Sequence, residues 1–243
     1  MKESILTIVE NVPLTETVWR ITLEGETDAP RPGQFVNLQL DGLFLRRPLS
    51  VYDGEQGRIT LLYKTVGVGT RRLTALAGGT TLNVLTGLGN GYDLSKSGDR
   101  PLLLGGGVGV PPLYLLARKL REQGKPVTAV LGFNTHGEVF AEEAFSALGC
   151  QVTVTTADGS YGVKGFVTDA LPEQYSYFYT CGPEPMLRAV YRTTVTGGQF
   201  SFEERMGCGF GACMGCSCRT ITGYKRICRE GPVLEKEEIL WED

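Results

Sequence analysis

Four cysteines near the C-terminus, Cys208, Cys213, Cys216 and Cys228, follow the spacing C-x4-C-x2-C-x11-C, and no other feature of the 243-residue chain limits its folding so sharply. A tight loop has to gather three of these thiols around one compact centre. Gly207, Gly209, Gly211 and Gly215 are interleaved with them. A residue without a Cβ lets backbone amides come close to sulfur, and amides aimed at a cluster stabilise its negative charge. The spacing is that of plant-type two-iron, two-sulfur sites. A structural zinc site is the competing reading. Zinc usually takes two close pairs, whereas here only Cys213 and Cys216 have C-x2-C spacing. A loop that binds no metal is the third reading. Cys218 is the surplus thiol, expected to pack on the strand after the loop rather than to act as a ligand. The chain has seven cysteines, and five of them, from Cys208 to Cys228, fall within 21 residues. That crowding points to metal binding in a reducing compartment rather than to disulfides.

Composition removes several function classes. The formal net charge is −3, so nothing basic marks nucleic acid as the main partner. The chain is 42% hydrophobic and 21% charged, which is ordinary globular usage and excludes a disordered chain. Glycine makes up 33 residues, about twice the usual share of roughly 7%, and it clusters at 105–109 and 207–215. Glu3 and Glu10 interrupt any apolar run at the N-terminus, so no signal peptide is expected. The uncharged stretch from Pro101 to Ala117 is too short and too broken by Gly and Pro for a membrane span. A soluble cytoplasmic protein is the expectation.

The chain divides by pattern. Residues 1–98 carry short alternating segments, Ile5–Val9, Val18–Leu23, Phe35–Leu40 and Ile59–Tyr63, separated by Gly, Pro and Asp. They read as strands of a small antiparallel barrel, interrupted by one helix over Thr70–Ala77. From 99 to 198 strands alternate with helices. The strands are Pro101–Leu104, Val127–Phe133, Val152–Thr155 and Tyr177–Tyr179, and the alternation argues a parallel sheet covered on both faces. The boundary is placed at 97–100, in the polar stretch Ser95–Asp99. From about 199 the periodicity stops and the cysteine segment fills the rest, 199–243. The expected fold class is thus β plus α/β.

Three further segments suggest ligands. Arg46-Arg47-Pro48-Leu49-Ser50 offers a forked donor for phosphate and a hydroxyl for a heterocycle, and Gly69-Thr70 opens a helix; on its own, this set is a weak signal, since arginine and serine on a strand are more often simply solvated. Gly105-Gly106-Gly107-Val108-Gly109 sits at a strand-to-helix turn, where a pyrophosphate can lie against free amides, or where the chain simply turns tightly. Cys181-Gly182-Pro183 ends another strand, and the two turns can share one cleft. His136, the only histidine, reads as a solvated loop residue, so no histidine-based triad is available.

In this order the segments resemble the ferredoxin–NADP reductase superfamily and, within it, the electron-transfer subunits of dihydroorotate dehydrogenase B. The most specific stretch is Glu203-Glu204-Arg205-Met206 leading into the cysteine loop and ending Ile227-Cys228-Arg229-Glu230-Gly231-Pro232-Val233. The resemblance implies an FAD-binding barrel over 1–98, an NAD-binding domain over 99–198 and a [2Fe-2S] segment over 199–243. It implies FAD contacts from Arg47, Pro48, Leu49, Ser50, Leu62, Tyr63, Lys64, Gly69 and Thr70. It implies NAD contacts from Gly105, Gly106, Gly107, Gly109, Cys181, Gly182 and Pro183, and cluster ligation by Cys208, Cys213, Cys216 and Cys228. Where the superfamily often has an aromatic residue in the flavin motif, Leu49 stands here. The implied partner is an FMN-containing dihydroorotate dehydrogenase catalytic subunit in a heterotetramer, with no nucleic acid and no membrane involved.

These cofactors have a joint logic. NADH gives up two electrons together as hydride, a cluster accepts one at a time, and a flavin can do both. The chain then passes electrons from NADH through FAD and the cluster to the partner, with no acid or base residue required. Two alternatives stay open: a reductase subunit serving ferredoxin, sulfide or polysulfide, and a zinc-bearing interaction subunit without catalysis.

Overall fold

The computed structural model describes residues 1–241. Its first part is a closed barrel of six antiparallel strands: β1 (Lys2–Pro13), β2 (Val18–Gly25), β3 (Phe35–Leu38), β4 (Arg47–Glu55), β5 (Arg58–Lys64) and β6 (Thr81–Leu88), paired in the order β1-β2-β5-β4-β3-β6. Alternation fills it. Val36 and Leu38 of β3 point inward to Leu6, Ile21, Leu61 and Val84, while Phe35 joins a different core outside the barrel. β4 and β6 are the strands that alternation did not single out; β4 opens on Arg47 and Pro48 directly after Arg46, and these residues mask its period.

Helix α1 runs Val68–Thr74, two residues ahead of the expected start and three short of the expected end. The Thr70 hydroxyl lies inside the first turn and accepts from the amides of Val66 and Gly67 at 3.0 and 3.1 Å, so the cap works backwards from the helix. At the other end, Asn11 Nδ2 donates to the carbonyls of Leu73 and Leu76 at 2.8 and 3.1 Å, which stops the helix against β1.

The second part is a seven-stranded sheet formed by β7 (Pro101–Gly106), β8 (Thr128–Phe133), β9 (Gln151–Thr156), β10 (Val163–Lys164), β11 (Tyr177–Cys181), β12 (Gly198–Ser201) and β15 (Val233–Glu235). The order is β10-β9-β8-β7-β11-β12-β15, parallel throughout except for β15, which pairs antiparallel with β12. Helices α2 (Pro111–Glu122), α3 (Glu142–Ala147) and α4 (Glu184–Thr193) alternate with the strands. The chain moves outward from β7 through β8 to β10, then returns to lay β11 on the other side of β7. The topological switch point is therefore the gap between β7 and β11, where open α/β sheets hold their ligands. The cysteine segment is not a structureless appendage. It contains the hairpin β13 (Ser217–Thr220) and β14 (Gly223–Arg226) and then supplies β15 to the sheet. Strands of three or four residues are too short to show a period.

The parts interlock. Tyr52 of β4 stacks on Tyr114 of α2 with centroids 4.2 Å apart, and Arg118 pairs with Asp53 at 2.8 Å and donates to the Gly54 carbonyl at 2.9 Å. Lys64 at the end of β5 pairs with Glu138 beyond β8 at 3.1 Å. Asn90 clamps the barrel to the C-terminal segment: its Nδ2 donates to the carbonyls of Glu230 and Val233 at 3.1 and 2.7 Å, and its Oδ1 accepts from the Val233 amide at 3.1 Å. A third core joins Phe35 and Leu88 of the barrel to Leu102, Phe178 and Phe200 of the sheet and to Cys216, Ile227 and Cys228.

Candidate cofactor sites

The twin arginines before Pro48 separate by role. Arg46 serves the barrel, donating to the carbonyls of Asn83 and Asn37 at 3.2 and 3.4 Å and pairing with Glu3 at 3.4 Å. Arg47 instead folds over the start of α1. A Cβ on Gly69 would collide with Arg47 Nε and lie 2.9 Å from its Cζ, so the glycine lets the Arg47 side chain lie directly against the Gly69-Thr70 turn. The guanidinium donates to the carbonyls of Leu45 and Arg46. Ser50 pairs across from Phe35 and Pro48 from Asn37, and Leu49 packs at the edge of the barrel core. Tyr63 turns its side chain into the barrel core, donating to Asn11 Oδ1 at 2.9 Å, while Leu62 points to the opposite face and is buried in the core shared with the sheet. What these two can offer a ligand on the β5 surface is backbone. Burial raises the Tyr63 phenol far above its ordinary value, so it stays neutral. Lys64 is held by Glu138.

The two sheet turns meet at the switch point. Gly105 and Cys181 are register partners. A Cβ on Gly109 would overlap the Cys181 carbonyl and stand 2.6 Å from Gly182 Cα, and one on Gly182 would stand 3.2 Å from the Gly106 amide nitrogen. The glycines let two backbones touch. Gly107 differs: its φ is +52°, and nothing lies within 4 Å of where a Cβ would stand, so the turn opens there onto free space. Burial pushes the Cys181 thiol up to about 12, which keeps it neutral beside the crevice. Around Glu138, burial works to raise the carboxyl, but Lys64 and the side-chain and backbone donors of Asn134 hold it below the usual carboxylate range. The carboxylate just past β8 is therefore ionised and paired with Lys64.

The four cysteines stand as two pairs. The Cys208 amide donates to Cys213 Sγ at 3.5 Å, the amides of Ala212 and Cys213 donate to Cys208 Sγ at 3.2 and 3.4 Å, and the Cys228 amide donates to Cys216 Sγ at 3.4 Å. Burial opposes ionisation of Cys208, yet the amides of Cys213, Phe210 and Ala212 and the Cys213 thiol outweigh it and bring this thiol down to about 6. Cys228, with the Cys216 and Cys208 sulfurs close by, is pushed up to about 12, first by burial and then by those neighbours. Among the described residues no three metal-ligating side chains converge on a single point. Two pairs of thiols match the demand of a binuclear centre, with two sulfurs for each metal. Gly209 and Gly211 have φ of +77° and +95° and turn the amides inward. Arg226, ion-paired with Glu230, donates to the Gly211 carbonyl at 2.7 Å. Cys218 lies on β13 across from Lys225, half-buried against the third core, with burial raising its thiol.

The residues that tie these sites together, Asn37, Asn90, Tyr52 and Arg118, carry no local motif.

Comparison with known proteins places the chain. Residues 203–240 match the iron-sulfur cluster binding domain of dihydroorotate dehydrogenase B. The electron transfer subunit of dihydroorotate dehydrogenase B (NAD(+)) from Shouchella clausii is 44% identical, with 98% of each chain covered. That of Geobacillus sp. strain WCH70 is 42% identical, with 99% of each covered. Among solved structures, the NADH-dependent reduced ferredoxin-NADP oxidoreductase superposes with a TM-score of 0.88 at 31% identity, over 97% of this chain and 90% of that one. Barrel, nucleotide sheet and cysteine segment thus recur together in one full-length architecture, and the chain belongs to the family of dihydroorotate dehydrogenase B electron transfer subunits.

Proposed function

We propose that this chain relays electrons between NAD and a separate dihydroorotate-oxidising flavoprotein subunit, through FAD on the barrel and a [2Fe-2S] cluster in the C-terminal segment. The observation that carries the reading is the position of β3. It pairs with β4, which bears Arg47 and Ser50, while its Asn37 side chain donates to the Cys208 carbonyl at 3.2 Å. Flavin strand and cysteine loop are thereby joined through a single strand. When bound, the flavin exchanges a hydride with the nicotinamide and single electrons with the cluster.

The residues have distinct tasks. Arg47 and the Gly69-Thr70 turn hold the flavin pyrophosphate, Ser50 addresses the flavin ring, and Pro48, Leu49 and the backbone of Leu62–Lys64 line its bed. Gly105–Gly109 and Cys181–Pro183 receive the dinucleotide at the switch point. Cys208 with Cys213 holds one iron, and Cys216 with Cys228 the other. Residues 1–98, 99–198 and 199–243 divide as FAD, NAD and cluster parts, the third lending β15 and all but the first residue of β12 to the sheet of the second. The relatives are named for NAD(+), and the net flow is written accordingly. Dihydroorotate in the partner loses two electrons and two protons, NAD(+) takes up a hydride here, and one proton is released; the same route runs backwards from NADH to orotate.

Exposed Phe210 and Met214 on the cysteine loop, with Ile221 and Tyr224 on the hairpin, support a protein partner at the cluster, because interface cores are depleted in charge. That partner is an FMN-containing catalytic subunit in a heterotetramer. All seven cysteines are free, in keeping with a reducing cytoplasm, and no helix of the described residues is long and apolar enough to cross a membrane. Co-expression with a dihydroorotate dehydrogenase catalytic subunit tests the proposal. A stable complex whose NADH oxidation depends on orotate is the expected result. Full NADH-dependent orotate reduction by the isolated chain, or none by the complex, overturns it.

A further inference from the structure

Asn37 is a costly choice for its position. It is 1% exposed, and its Oδ1 is buried with no hydrogen-bond partner among the described residues. It lies on the outward face of β3, two residues from Phe35, which fills the equivalent place with an apolar ring and packs into the core containing Cys216 and Cys228. Packing alone would favour an apolar side chain at both positions, since an unpaired buried polar atom is a net loss. Asn37 is therefore explained by what its other atom does. Nδ2 donates to the Cys208 carbonyl at 3.2 Å, a bond spanning 171 residues of sequence. The next residue, Gly209, closes on the same amide so tightly that a Cβ there would collide with Nδ2.

We propose that Asn37 is a positioning residue for the iron–sulfur cluster: through the Cys208 carbonyl it fixes the loop whose amides face Cys208 Sγ, against the strand next to the flavin motif. Three observations converge on it. The bond ends on the backbone of the cysteine that receives two amide donors, from Ala212 and Cys213. The register partner of Asn37 on β4 is Pro48, so the anchor is rooted in the strand pair that carries Arg47 and Ser50. The same strand is braced from the far side by Arg46, which donates to the Asn37 carbonyl. Loosening the anchor lets the Ala212 and Cys213 amides drift from the sulfur. Those amides stabilise the reduced, more negative cluster, so their loss moves its potential downward. The inference rests on Cys208 being a cluster ligand.

The test uses the chain co-expressed with its catalytic partner and carrying Asn37→Leu, with Asn37→Ala as the variant that cannot overcrowd the loop and Gly209→Ala as an independent push on the same contact. Extracted FAD reports the barrel, while electron paramagnetic resonance, the cluster midpoint potential and the rate of iron loss to a chelator report the cluster. At least one variant is expected to retain FAD and iron as purified while showing altered g-values, a more negative potential and iron loss about tenfold faster, the scale on which supporting residues act at metal sites. A variant that retains both cofactors with wild-type potential, spectrum and iron retention overturns the proposal. So does loss of FAD together with iron in all three, which would make the residue a general element of folding. Cys208→Ala decides the underlying reading separately: a variant that keeps its cluster removes Cys208 from the ligand set whatever Asn37 does.

Discussion

Gly109→Ala isolates the role of close backbone contact at the nucleotide crevice. Gly109 needs no positive φ, so alanine can adopt its conformation; what it lacks is room. The new methyl would overlap the Cys181 carbonyl and sit 2.6 Å from Gly182 Cα, where ordinary contact begins near 3.4 Å. Both obstacles are backbone, so the glycine turn and the Cys181–Pro183 turn must part by close to an ångström. Misplacing a reactant by about that much costs on the order of 10²-fold, or about 2.7 kcal/mol in kcat/KM. Gly124→Ala, just past the C-terminal end of α2 and far from the crevice, supplies the control. Its methyl meets nothing within 4 Å, but φ is +77°, which costs an L-residue roughly 1–2 kcal/mol of backbone strain. The first variant should lose about a hundredfold in kcat/KM for NADH-driven flavin reduction, followed by stopped-flow bleaching of the flavin band, with FAD and iron contents unchanged. The second should lose thermal stability and change the same rate much less. A Gly109→Ala enzyme within threefold of wild type, or equal losses in the two variants, refutes the argument that contact between the turns shapes the site.

Other outcomes follow from the same geometry. Cys208→Ala, Cys213→Ala, Cys216→Ala and Cys228→Ala should each purify without iron and acid-labile sulfide, whereas Cys218→Ala should keep both; iron analysis of the five decides the ligand set. The charged Glu138 beyond β8 should disfavour a 2′-phosphate, so kcat/KM with NADH should exceed that with NADPH, and Glu138→Gln should narrow the gap about tenfold. Equal or better use of NADPH by the wild type would contradict this. The Arg226 ion pair brings Glu230 from an ordinary value of 4.5 down to about 2. A depressed folded-state value means stabilisation that is full above the unfolded value and lost as pH falls toward the folded one. The thermal midpoint of wild type should therefore exceed that of Glu230→Gln near neutrality, and the difference should shrink from roughly pH 5 down to about pH 2; a difference that does not vary with pH would remove the ion pair as its source.

What the chain determines by itself is whatever chemistry needs in consecutive residues. The spacing of Cys208, Cys213 and Cys216, the glycine run 105–109 and the Arg47–Ser50 segment are legible because the sites proposed for them draw on a loop, a helix start and a strand, each of which places neighbouring residues together. Alternation likewise revealed the barrel strands β1, β2, β3 and β5, and a continuous apolar run revealed β8. The tertiary structure decided the rest. It separated Arg46 from Arg47, which are equivalent as letters, by giving one to the barrel's carbonyls and the other to Gly69. It turned Tyr63 inward to Asn11, returned β15 to the nucleotide sheet, and set Asn37 against Cys208 and Asn90 against Val233 across 171 and 143 residues of chain. No local propensity encodes such contacts. They exist because closing the barrel and winding the sheet bring distant backbone groups together out of water, where each must find a partner.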